Sequence, residues 1–182
     1  MHRLGEYSGM SLEENSRAGH ATPIAGLLVR RYEPRDRDAV LQLHRDGLTQ
    51  MGADAGAGPW DADLEDIEAN YISAGGEFVV AVARDEVVAM GALRGISEAT
   101  GELKRLRVKR ELQGKGVGER LARLLIERSH ELGFTRLMAD TTTRQLPAQR
   151  LLEKLGFAET RRQQFARFEL IYYELDLQSP TG

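Results

Sequence analysis

Apolar residues fall in short blocks along the chain, and their spacing sorts the blocks into strands and helices. Residues 27–32 read as a first strand. Pro34 then suits the first turn of a helix in which Ala39, Val40, Leu43 and Leu48 recur at roughly helical spacing. A Gly- and Ala-rich loop over 52–59 leads to a predicted second helix over 63–71, carrying Leu64, Ile67 and Tyr71 and broken by Gly75-Gly76. Residues 78–83 and 87–93 read as two strands, with Asp85-Glu86 turning a hairpin between them. A fourth strand over 102–108 is highly charged and alternates poorly. From about Gly116 to Leu132, Val117, Leu121, Leu124, Leu125 and Leu132 share one helical face, and Gly133 is a suitable stop. Residues 136–140 form a short strand. Pro147 opens another helix, with Leu151, Leu152 and Leu155 turned inward and Gly156 at its end. The tail holds one or two further strands, the clearest over 168–177. This order predicts a mixed α/β (α+β) sheet with helices on its faces.

Composition narrows the class. A chain of 182 residues with 41% apolar and 29% charged residues suits one soluble globular domain. The domain is expected over 24–182, after a mobile tail over 1–23 that has little to bury and no signal-like apolar block. A net charge of −3 argues against a broad basic surface for nucleic acid, and no apolar run approaches a membrane span. Cysteine is absent, which removes disulfides, thiolate metal sites and an acyl-cysteine intermediate, and fits a reducing cytoplasm. No His/Asp/Glu grouping has metal-ligand spacing, so no metal is expected. His44 and His130 lie in predicted helices without a chemical motif around them.

The most informative unit runs from the charged strand through a glycine loop into the long helix. Gly114, Gly116 and Gly118 let the backbone pass close to a ligand. Unpaired N–H groups and the dipole at the helix start favour a phosphate or pyrophosphate there, and Lys115 adds a positive charge. A P-loop is rejected, because Gly114-Lys115 is followed by Gly116 and offers no hydroxyl for a magnesium ion. A dinucleotide fingerprint lacks its third glycine, since the position falls on Glu119 or Leu121. Asp140 nevertheless sits about where a ribose-binding acid would, which leaves a nucleotide-dependent oxidoreductase open. A simple connecting turn also stays open.

Gln113-x-x-Gly116-x-Gly118 resembles the Q/R-x-x-G-x-G/A signature of the GNAT acetyltransferase superfamily, and Leu106-Arg107-Val108 precedes it at the usual distance. Pro147 to Phe157 resembles the family's A-x-x-L-Y-x-K-x-G-F block, and Ala89-Met90-Gly91-Ala92-Leu93 its V-V-G-x-x-x-L hairpin. The resemblance covers roughly residues 27–177. It implies a splayed, mixed sheet of six to seven strands with helices on both faces, and acetyl-CoA in the cleft where two central strands part. By the same resemblance, backbone groups of Leu106, Arg107 and Val108 pair with the pantetheine arm. An N–H near Val108 polarises the thioester carbonyl. Gln113, Gly114, Lys115, Gly116, Val117, Gly118 and Glu119 hold the pyrophosphate. Gln145 stands where the family often has a cofactor-contacting Asn. Leu152 replaces the Tyr that often protonates the leaving thiolate.

Acetylation of an amine needs a base, because an alkyl amine with pKa near ~10 is mostly protonated at pH 7. Glu102 lies six residues before Val108, the offset of the general-base glutamate in the histone-acetylating branch, and is the expected base. An ion-paired strand-end glutamate is the plainer reading. Trp60 is expected to pack in the core more readily than to touch substrate, while Thr141-Thr142-Thr143 are as well suited to line the cleft as to end a strand. The expected acceptor is the primary amine of a small molecule, attacked directly in a ternary complex. The rival reading within this fold is a non-catalytic acyl-CoA sensor. A homodimer is compatible with the resemblance.

Overall fold

In the computed structural model, residues 27–53 and 59–177 are described. The expected tail over 1–23 and residues 54–58 of the expected loop lie outside them. The strands are β1 Leu27–Arg31, β2 Glu77–Ala83, β3 Glu86–Gly95, β4 Thr100–Val108, β5 Arg136–Thr142, β6 Ala158–Phe165 and β7 Phe168–Asp176. The α-helices are α1 Arg37–Gln50, α2 Val117–Glu131 and α3 Leu146–Lys154. The strands form one sheet in the order β1-β2-β3-β4-β5-β7-β6. Helices α2 and α3 cover one face, where Leu121, Leu125 and Leu152 pack with Leu93, Leu103 and Leu137. Helix α1 covers the other, where Val40 and Leu43 pack with Phe78, Val80 and Met90. The expected splayed sheet with helices on both faces is therefore present.

Local chemistry accounts for the elements. Between β2 and β3, Arg84 and Asp85 have φ of 50° and 63°, both positive as a tight hairpin turn requires, so the turn lies one residue earlier than the sequence suggests. Helix α2 buries Val117, Leu121, Ala122, Leu125 and Ser129, one stripe at helical spacing. It stops at Gly133 (φ 85°), where the Phe134 N–H closes on the Ser129 carbonyl at 3.0 Å. Helix α3 stops the same way. Gly156 has φ 91°, the Phe157 N–H meets the Leu152 carbonyl at 3.0 Å, and the Phe157 ring is buried. The Leu-Gly-Phe block is thus a helix stop followed by a core anchor.

The expected helix over 63–71 does not form. Pro59–Leu64 is a 3₁₀ segment and Glu68–Ile72 a single π-turn. The Asn70 amide donates to the Asp66 carbonyl at 2.8 Å and competes with the regular ladder. The Asp63 carboxylate is drawn to Arg105 and Tyr71.

The sheet splits at its centre. All neighbouring strands are antiparallel except β4 and β5, whose parallel pairing covers only Thr100–Glu102 against Arg136–Met138. Beyond Glu102 the two strands part. In β4, Arg105 and Leu106 together oppose Gly91 of β3, and Arg105 has φ 58°. Such a bulge bends its strand and steers β4 away from β5. Gly91 makes room for it, because a Cβ there would stand 2.8 Å from Leu125 Cδ1 and 3.2 Å from Leu106 Cδ1. The poor alternation of the charged strand is the trace of this bulge. It places Lys104 and Arg107 on the α1 face and Leu103 and Leu106 on the α2 face.

Candidate active site

Register decides what the split exposes. The Lys109 N–H donates to the Val88 carbonyl of β3 at 2.8 Å, and the antiparallel pairing then turns the Arg107 backbone groups to Met90. The backbone of Leu106 and Val108 faces the other way, into the gap that β5 has left. A ligand with amide groups can add there as a strand would. Arg107 meets the gap with its side chain, not with its backbone.

At the head of the gap stands the glycine loop. Gly114 and Gly116 have φ of 73° and 80°, and Gly116 is the N-cap of α2 with no side chain capping the first turn. The first N–H groups of a 15-residue helix are therefore free for an anion. Lys115 is exposed and has no partner among the described residues. Gln113 fixes the loop from the other side. Its Nε2 donates to the Val108 carbonyl at 2.9 Å, and its amide exchanges hydrogen bonds with Gln50 of α1 at 2.9 and 3.1 Å. The Glu119 carboxylate is paired with Arg123 at 3.0 Å and Lys154 at 2.6 Å, so only its backbone N–H is left for a ligand. Gln145 precedes α3 with its amide 3.5 Å from Thr142 Oγ1, and Gln149 donates to the Thr142 carbonyl at 3.0 Å. Thr141 and Thr142 are buried, and Thr141 Oγ1 has no partner. Leu152 is a core residue.

On the α1 face the charges are dense and mostly paired. Glu102, with a side chain 15% exposed, accepts from Arg94 at 2.7 Å and lies 3.4 Å from Lys104. Arg105 reaches from the bulge to Asp61 at 2.7 Å, to the Trp60 carbonyl at 2.6 Å and to Asp63. His44 Nε2 stands 3.0 Å from Asp61 Oδ1. Burial works against ionisation of Asp61, but the bonds from His44 and Arg105 outweigh it and draw its carboxyl down to about 2. His44 is held below its ordinary value, chiefly by burial, against the pull of Asp61. Beside these groups lies a cleft of about 450 Å³ whose lining includes Trp60, Asp63, Arg94 and Lys104. Trp60 belongs to neither apolar core. Its ring meets Phe165, at the β6–β7 turn, edge-on at 5.7 Å.

Two charged groups are left over. Arg107 donates only to the carbonyl of Leu106, at 2.8 Å, and its Nε is buried without a partner. Burial pulls its guanidinium down to about 10, helped by the neighbouring Arg105. Asp140 on β5 has no hydrogen bond or ion pair among the described residues. Solvent reaches it through the gap, yet enough protein surrounds it that desolvation, with Glu102 nearby, raises its carboxyl. Of the expected site residues, the structure gathers Leu106, Val108 and the loop 113–119 along the gap, with Glu102 where it opens. Sequence reasoning missed the side chains of Arg105 and Arg107 and the acceptor-side position of Asp140. The excess of cations in the fourth strand was the available signal.

The sheet thus splits between two central strands, with an uncapped helix start at the head of the split. The chain belongs to the acetyltransferase (GNAT) family, which residues 38–157 match, and is an acetyl-CoA-dependent N-acetyltransferase. It is 30% identical over 138 residues to the uncharacterised N-acetyltransferase YjgM of Escherichia coli, covering 71% of this chain and 81% of that protein. It is 35% identical over 97 residues to the N-acetylaspartate synthetase of Danio rerio, covering 52% of this chain but only 34% of that longer protein. The structure of yncA from Salmonella typhimurium, solved with its cofactor acetyl-CoA, superposes with a TM-score of 0.70 at 21% identity, over 86% of this chain and 97% of that one. The family match sets aside the oxidoreductase reading of the glycine loop. No helix among the described residues is long and apolar enough to cross a membrane.

Proposed function

We propose that the protein acetylates the primary amine of a small molecule, in the cytoplasm, by direct attack on acetyl-CoA in a ternary complex. The observation that carries this reading is the gap between β4 and β5, with the glycine loop at its head and, on its α1 face, a charged cleft lined in part by Lys104 of β4. The residues present fit the co-substrate. The N–H groups of residues 116–119, the left-handed glycines and Lys115 suit its pyrophosphate, and the Leu106 and Val108 backbone suits the amides of its pantetheine arm. The acetyl thioester is the chemistry it brings.

Glu102 is the proposed base. It stands at the last β4–β5 pair, on the face where the acceptor cleft lies. The amine nitrogen attacks the acetyl carbonyl carbon, a C–N bond forms, the C–S bond breaks, and the nitrogen's proton passes to Glu102 directly or through water. The Val108 N–H is the proposed donor to the developing oxyanion. With Leu152 in the core, the thiolate leaves unassisted, as its low basicity (pKa ~8.5) allows. Initial rates with acetyl-CoA and a panel of free amines test this reading. Release of CoA thiol with intersecting double-reciprocal plots is expected. Parallel plots with isolable acetyl-protein would replace the ternary complex by a covalent route.

A further inference from the structure

The charges on the α1 face of the split account for one another in pairs, with two exceptions. Arg105 is matched by Asp61 and Asp63, and Arg94 and Lys104 are matched by Glu102. Arg107 and Asp140 remain, of opposite sign, one on each lip of the gap. No hydrogen bond or ion pair joins them among the described residues, although each charge favours the ionised form of the other from across the gap. Holding a guanidinium partly buried with no carboxylate costs stability that a hydrophobic residue would save.

The fold also makes room for this cation. Gly47 lies inside α1, where glycine weakens a helix by roughly 1 kcal/mol against alanine. A Cβ at Gly47 would stand 2.7 Å from Arg107 Cδ and 3.2 Å from Arg107 Nε, so the glycine lets the arginine stem pass beneath the helix. The stem then brings the guanidinium to the Leu106 carbonyl, which faces the gap.

We propose that the acceptor is a zwitterion, an amine that also bears a carboxylate, with the carboxylate seated on Arg107 and the ammonium drawn to Asp140. The proposal rests on the acetyl-transfer reading and names the substrate class of the same site. A carboxylate supplies the partner that Arg107 lacks, in the two-pronged geometry a guanidinium presents. Before transfer, Asp140 attracts the positively charged end from across the gap, and so orients the molecule. Tyr172 pairs with Asp140 across β5 and β7 and carries Arg161 stacked 3.6 Å from its ring centroid. Arg107 and Asp140 position the acceptor; the ammonium gives one proton to water to become the attacking amine, and the second, shed by the nitrogen after attack, passes to Glu102.

Calorimetric titration of the CoA-loaded protein with L-amino acids, their α-amides and the matching decarboxylated amines tests this. At least one amino acid should bind about 10- to 100-fold more tightly than its amide, the range of one charge-assisted interaction. Arg107→Met keeps the stem and removes the charge. It should erase the acid-over-amide preference, leave CoA affinity within about 2-fold, and melt no lower than the wild type. Gly47→Ala keeps the charge but displaces the stem, and should lose the same preference. Amides or amines that bind as well as acids in the wild type, or a panel in which nothing binds, would overturn the proposal. So would loss of CoA affinity in Arg107→Met, which would assign the guanidinium to the co-substrate. Turnover separates the two readings. An amino acid that binds through Arg107 yet releases no CoA thiol from acetyl-CoA would sink the transfer reading and leave the carboxylate site standing.

Discussion

Replacement of Gly116 by valine should separate the glycine loop's role in folding from its role in binding. Gly116 caps α2 at φ 80°, ψ 0°. An L-residue there costs roughly 1–2 kcal/mol, at the upper end for a β-branched side chain. At about 2–4 °C per kcal/mol for a chain of this size, the melting temperature should fall by roughly 2–8 °C, and the protein should stay folded. Binding should suffer far more. If two N–H groups of the first turn donate to a pyrophosphate, each worth about 1.5–3 kcal/mol, loss of both weakens CoA by roughly two to four orders of magnitude. Gly133→Val is the control. It sits at the other end of the same helix with φ 85°, and a Cβ there meets nothing within 4 Å. It should lose a similar amount of stability and bind CoA like the wild type. Thermal melts and calorimetric CoA titrations of both variants decide the matter. Unchanged CoA affinity in folded Gly116→Val, or equal losses of affinity in both variants, would reduce the loop to a connector.

Further expectations concern the base, the buried charges and acid. Glu102→Gln should lower turnover by about 10²- to 10⁴-fold at pH 7, with the deficit shrinking at high pH where free amine is plentiful, and a fully active variant would remove Glu102 from the chemistry. Glu77 is fully buried between Arg31 at 2.7 Å and Arg128 at 3.2 Å, so Glu77→Ala should cost about 3–5 kcal/mol in urea unfolding, and a loss below about 1 kcal/mol would contradict this. In acid, carboxyls held low in the folded state stabilise it above their unfolded value and lose that contribution as pH falls through the folded one. For Asp61 the window runs from 3.8 down to about 2, with Asp36 and Asp63 acting in the same sense. His44 adds a shallow decline below 6.5, and the raised Asp140 an opposing gain. The steep loss of thermal stability should therefore begin below about pH 4, and Arg105→Ala should weaken the wild-type fold most in the pH range above that limb.

Much of this fold could be read from particular residues. Gly133 and Gly156 ended their helices as expected, each with positive φ and a 6→1 hydrogen bond. The edge strand β6 is exposed throughout and so carries no alternation for a sequence to reveal. Residues 63–71 failed as a regular helix because their polar side chains bond to groups within the segment and to Arg105. Asp63 serves Arg105, which lies 42 positions on, and no local window contains that partner. The same limit applies to the site. The glycine loop is contiguous and could be recognised. The acceptor side brings together residues from α1, the 59–64 segment, β4 and β5. Only the bulge at Arg105 decides that Lys104 and Arg107 share a face.

The residues that break local rules cluster where the sheet splits. Arg105 holds a left-handed conformation without being glycine, Gly47 sits inside a helix, Arg107 is partly buried without a carboxylate partner, and Asp140 has no hydrogen bond or ion pair among the described residues. A sequence selected for stability alone would remove each of these. Their costs differ in kind. The strain at Arg105 is offset within the fold by Asp61, Asp63 and the Trp60 carbonyl, so it shapes the split whether or not a substrate is bound. The cost at Arg107 is offset only in part, by the Leu106 carbonyl and the more distant charges of Asp61 and Asp140, and no carboxylate among the described residues pairs with it. A bulge that only bent the strand would be served as well by an apolar residue at 107, packed under α1 in place of a charge. That an arginine is there, with a glycine cut into the helix above it, separates the residues that build the gap from those that wait for what enters it.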